Sequence, residues 1–205
     1  MDRQEYLNQI SMKNQPVKKS KLSGIFGSKF FWVGVIGVAV FVFIMILGGI
    51  LGSARGSDKD RLFALILHID NTSEIIGEYQ PNVKSSDLRS YSASLGGILS
   101  NTSKDLTEYA TAKYNFKAKD VKQNIIEEET TAKDALSNEL FEAKINGVLD
   151  RIYAHKMAYE ISLMANSEAQ LLKSTNNDTL KEMLTTSYNS LDNLYDKFND
   201  FSETK

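Results

Sequence analysis

Between Phe30 and Gly52 the chain reads FFWVGVIGVAVFVFIMILGGILG, with no charged or strongly polar residue. At 1.5 Å per residue, a helix of this length covers the roughly 30 Å hydrocarbon core of a bilayer with a little to spare. Backbone amides in lipid must be satisfied within the segment, so a lone span has to be helical. A buried core helix is the competing reading, and it fails because no polar stripe marks a solvent-facing side. Phe30, Phe31 and Trp32 stand at the entry end, where aromatic rings favour the membrane interface.

The flanks give this span a direction. Arg3, Lys13, Lys18, Lys19, Lys21 and Lys29 precede it against only Asp2 and Glu5, a tail of about +4. Arg55, Lys59 and Arg61 follow it, interleaved with Asp58 and Asp60. The positive-inside rule therefore predicts a cytoplasmic N-terminus and an extracytoplasmic remainder. Gly52-Ser53-Ala54 resembles a cleavage site, but the apolar run exceeds the roughly 7–15 residues of a signal-peptide core. An uncleaved signal anchor over residues 30–52 is the expectation. Residues 1–29, with Pro16 and little apolar content, are expected to be a disordered basic tail. Lys18, Lys19, Lys21 and Lys29 are then topology signals at the anionic headgroups. Gly48 and Gly52 form a GxxxG pair that would let two spans approach and support a homodimer. The plainer alternative is that glycine is simply common in single spans.

There are no cysteines, which excludes disulfides, thiolate metal sites and a cysteine nucleophile. An extracytoplasmic domain without cysteine fits a bacterial cell envelope better than a eukaryotic secretory route. With the basic charge in the tail, residues from Ser53 onward carry about −6. Nucleic acid is thus not an expected partner, since that would need basic charge on the folded domain.

Residues 53–205 show helical spacing throughout and no sustained alternation, so they are read as all-α. The first helix is expected over about 57–79, ended by Pro81, with Leu62, Leu65, Ile66, Ile69, Ile76 and Tyr79 inward. The second, about 86–114, carries Leu88, Leu95, Thr102 and Tyr109 at seven-residue spacing, the narrow seam of bundles and coiled coils. Gly96-Gly97 interrupts it as a close crossing or a kink. Residues 120–129 read either as a short separate helix or as the opening of one very long helix. From 131 to 174 the pattern is strong, with Leu136, Leu140, Phe141, Ile145, Val148 and Ile152 among the inward positions. A last helix over 178–201 starts with Thr179 and Glu182 at capping-box spacing. Short connections place successive helices antiparallel, which predicts an up-down-up-down four-helix bundle. The link after the second helix would then return to the bilayer, where Phe116, Lys117, Lys119 and Lys122 suit contact with headgroups.

Chemistry is sparse. A helical di-iron site needs Glu-x-x-His pairs, but Leu65 and Ile152 stand three residues before the only histidines, His68 and His155. His68 reads as a structural histidine, with Asp70, Glu74 and Glu78 on its own helix. No phosphate-binding loop, nucleophile elbow or His-Glu-x-x-His stretch occurs. No catalytic, metal or cofactor-binding residue is assigned, and an enzyme is not expected. Eight tyrosines follow the span; most suit a core, while Tyr153 and Tyr159 are hard to place on one inner face. As a group they suit a protein-binding surface. The leading expectation is a membrane-anchored structural or interaction module presenting its bundle to a protein partner. The alternative is a sensory ligand-binding bundle, because the architecture resembles the periplasmic bundles of bacterial chemoreceptors.

Overall fold

In a computed structural model, which describes residues 57–201, the chain is helical throughout, with five α-helices and no strand among the described residues. The predicted span over 30–52 and the basic tail lie outside the described residues. None of the described helices is long and apolar enough to cross a membrane.

Helix α1 (Asp58–Tyr79) opens on a reciprocal cap: the Ser57 side chain accepts from the Asp60 amide, and the Asp60 carboxylate accepts from Ser57. Asp58 and Asp60 also sit where the helix dipole favours negative charge. Pro81, in a short 3-10 turn over Gln80–Asn82, ends it. Helix α2 (Ser86–Tyr114) is capped by Ser85 and runs through Gly96-Gly97 without a break. It stops at Asn115, whose left-handed φ of 53° turns the chain out of the helix.

Helix α3 (Gln123–Ile145) and helix α4 (Leu149–Ser174) replace the single helix expected over 131–174, and α3 also absorbs the ambiguous residues 123–129. Asn146-Gly147 divides them. Gly147 takes φ +72°, its amide bonds to the Lys144 carbonyl, and the Val148 amide reaches the Ala143 carbonyl at 2.9 Å. That double closure is the Schellman stop, which needs a residue without a β-carbon in the left-handed region. Apolar spacing continues through this turn (Ile145, Val148, Leu149, Ile152), so periodicity alone cannot reveal the break. A Gly147→Ala variant would meet no neighbouring atom within 4 Å, so its cost is the backbone strain alone. A loss of roughly 1 kcal/mol is expected, read as a lowered urea midpoint with unchanged slope. Helix α5 (Asp178–Asn199) is capped by Asn177, whose side-chain oxygen accepts from the Leu180 amide at 2.9 Å. The capping box expected at Thr179 and Glu182 is therefore not what starts it.

Helices α1, α2, α5 and α4 form a ring in which each packs against the next, and α3 lies outside it against α1 and α4. The core is mainly aliphatic, with Leu62, Ile66, Ile69, Leu95, Leu99, Leu140, Met157, Met164, Leu184 and Leu191 all nearly or fully buried alongside Phe63, Tyr153 and Phe198. The outer helix is set by cross-links at a near-constant offset. Lys122 meets Asp60, Glu129 meets His68, Lys133 meets Glu74, and Ser137 accepts from Tyr79. Pairs that advance together along both helices mean that α3 runs parallel to α1. The bundle is thus five-helical, and one of its neighbouring pairs is parallel rather than antiparallel.

Candidate functional site

Helix α3 is the unusual element. Of its residues only Glu129, Leu136, Leu140 and Ala143 are buried, so apolar burial holds it weakly and polar contacts matter more. The strongest of these is a charged cluster inside the protein. His68 of α1 places Nδ1 3.1 Å from Glu129 of α3, and Nε2 3.0 Å from Glu160 of α4. The first is a hydrogen bond, while the second is a close ion pair without hydrogen-bond alignment. All three residues are buried. Burial by itself pushes the imidazole toward its neutral form, but the two carboxylates outweigh it and raise its pKa from 6.5 to about 10. His68 is therefore an imidazolium clamped between three helices, and Asn71 adds a bond to the Glu129 carbonyl.

This cluster has metal-ligand residue types without metal-site geometry. The carboxylates engage opposite ring nitrogens and do not converge on a shared point, and no group among the described residues is arranged to hold a metal ion. The acids on the histidine's own helix serve elsewhere: Asp70 accepts from Ser103, and Glu74 pairs with Lys133.

No family model, curated protein or solved structure matches this chain.

A second polar group in the core is Glu168 of α4. It is 0% exposed, and neither carboxylate oxygen has a hydrogen-bond partner. Burial raises its pKa from 4.5 to about 7, and the nearby Ser187 hydroxyl of α5 holds the rise back. Ser187 in turn accepts from Thr102 of α2 at 3.0 Å. Tyr153, hard to place on one inner face from spacing alone, is fully buried, and burial pushes its phenol up to about 12 with Ser92 nearby. Tyr159 is half-buried with its hydroxyl enclosed.

The largest departure from the expected core lies on α3. Phe141 and Ile145, counted above as inward residues, are 51% and 64% exposed. The break at Gly147 explains this. It lets α3 take its own orientation, so its inner face carries Leu136, Leu140 and Ala143 and turns Phe141 and Ile145 outward. A shallow depression between α3 and α4 is lined by Asn138, Glu139, Glu142 and Ala143 of α3 with Val148 and Ile152.

The residues expected at the headgroups lie together at one end of the bundle. Phe116 is folded inward, its ring 4.5 Å from that of Phe63, and Lys122 bonds Asp60 at 2.7 Å. Both therefore secure the α2–α3 link to the first turns of α1, while Lys117 and Lys119 are exposed. Lys18, Lys19, Lys21, Lys29, Gly48 and Gly52 lie outside the described residues.

Proposed function

We propose that this protein is an interaction module of a bacterial cell envelope, anchored by the 30–52 span and offering α3 of its outer bundle to a protein partner. The observation that carries the reading is the pair Phe141 and Ile145. Among the described residues these are the exposed large hydrophobic side chains, and they stand one turn apart on one helix. Single exposed apolar residues are ordinary, whereas two in adjacent turns of one helix make a contiguous apolar patch of the kind on which protein contacts centre. Glu142 and Lys144 flank the pair and supply a polar rim of both signs. The apolar run, its basic flank and the positive-inside rule support the anchor and its direction.

The absence of native cysteine allows one experiment to address both halves. In intact cells an Ile145→Cys variant should react with an impermeant maleimide crosslinker and give a discrete adduct with a second protein. Adding Phe141→Asp should abolish the adduct, and a Ser20→Cys variant should stay unlabelled. Labelling of Ser20→Cys from outside would sink the orientation. Adducts that are diffuse, or unaffected by Phe141→Asp, would sink the interaction surface.

A further inference from the structure

Helix α3 carries apolar residues on two sides. Leu136, Leu140 and Ala143 are buried against the bundle, while Asn138, Phe141 and Ile145 are exposed together on the outer face. Their steps of three and four residues are the a and d spacing by which helices pair along their length. At about 100° per residue, Glu142 and Lys144 stand about 80° to either side of the line between Phe141 and Ile145. Both are exposed, and neither forms an ion pair with a described residue. We propose that the protein partner is a second copy of this chain, its α3 laid parallel to this one across the Phe141–Ile145 face. The inference deepens the proposed function and rests on its exposed pair and its anchor.

The flanking charges select both the partner and its direction. When two copies of a helix pair in parallel about a two-fold axis, the left flank of each lies beside the right flank of the other. In an antiparallel pair each flank lies beside its own counterpart. Parallel pairing therefore brings Glu142 beside the partner's Lys144, and does so twice. Antiparallel pairing would set acid against acid and base against base. An apolar pair edged by one acid and one base is thus its own complement, in the parallel sense alone.

The seam is short, because Asp134 precedes it on the same face and the helix ends at Ile145. Two partly exposed side chains fall far below the roughly 800 Å² per partner that a stable free complex buries. Pairing therefore depends on a second attachment. Gly48 and Gly52 of the 30–52 run have the spacing that lets two spans approach closely. Linking two contacts in this way raises the effective concentration for the second to the order of millimolar. Copies inserted in the same direction are related by a two-fold axis along the membrane normal, and helices lying along that axis pair in parallel.

The test is disulfide trapping in membranes of cells that produce the full chain, which has no native cysteine. An Asn138→Cys variant keeps both apolar residues, and in a parallel pair the new thiol faces its own counterpart. Mild oxidation is expected to give a species of twice the 23.0 kDa chain. Ser94→Cys, exposed on α2, should give none. Adding Phe141→Asp to Asn138→Cys should abolish the dimer. Adding Glu142→Lys or Lys144→Glu singly should lower its yield by roughly threefold, and adding both should restore it. These positions are all exposed, so the bundle should stay folded throughout. Absence of the Asn138→Cys dimer would overturn the second copy as partner. If Ile145→Cys still gave a discrete crosslinker adduct of another mass, the interaction surface would stand with a different protein on it. Loss of both signals would remove the surface as well. An equal dimer from Ser94→Cys, which signals random collision, would also overturn the pairing. So would a yield untouched by Phe141→Asp or by either charge reversal.

Discussion

Replacing His68 with leucine is expected to lower stability by about 3–5 kcal/mol at pH 7, the range for removing one partner from a buried ionic cluster. Glu129 and Glu160 would remain inside the protein without their cation, and each would have to ionise in a poor solvent or take up a proton. Helix α3 should suffer most, because its few buried residues cannot replace the clamp. Amide exchange is then expected to accelerate along α3 before it does so in α5. The wild type should show the same dependence as a function of pH. Its histidine pKa is raised from 6.5 to about 10, so its contribution is complete below pH 6.5 and is lost as the pH rises through 10. Urea midpoints should fall across that window in the wild type, and the fall should be absent in His68→Leu. If His68→Leu proves unfolded, a His68→Leu/Glu129→Leu/Glu160→Met variant keeps the question open to experiment. Removing all three charges should restore stability close to wild type, because apolar replacement of a whole buried cluster is commonly neutral or better. A His68→Leu variant within about 1 kcal/mol of wild type would mean that the cluster does not clamp α3.

The reach of the sequence is clearest at particular residues. Helical character follows from apolar spacing that needs no tertiary information, and the stops at Pro81 and Asn115 follow from backbone rules that act locally. The stop at Gly147 obeys an equally local rule. It is hidden because the apolar spacing of α3 happens to continue in phase into α4, and periodicity averages over the turn. Phe141 and Ile145 were misplaced for the same reason, since a face assigned to one long helix is not shared by two helices with separate axes.

The buried acids show a different limit. Glu168 occupies a core position in the series Met157, Ile161, Met164, Leu171, and Glu160 stands one turn from Met157 and Met164. Pattern reading assigns acids to solvent by residue type, so it treats a charged residue on an apolar face as noise. An acid standing in register with a buried stripe was the available signal. Its partners were not legible, because His68, Glu129 and Glu160 are brought together by the docking of three helices rather than by spacing on one.

Glu168 leads to the second large effect. A Glu168→Gln variant is expected to be more stable than wild type by roughly 3 kcal/mol at pH 8, at about 1.36 kcal/mol per pKa unit. The wild-type carboxyl has its pKa raised from 4.5 to about 7, so the folded protein holds a proton that the unfolded chain releases. That preference is complete below pH 4.5, and it is lost as the pH rises through 7, above which the folded state must bury a carboxylate. Glutamine has no charge to bury. The difference between variant and wild type should therefore be small at pH 4.5, widen up to pH 7 and stay level beyond it, as measured by urea unfolding. Ser187 can rotate to accept from the glutamine amide, so the new donor is not stranded. A constant difference across the pH range would show that Glu168 does not titrate with folding.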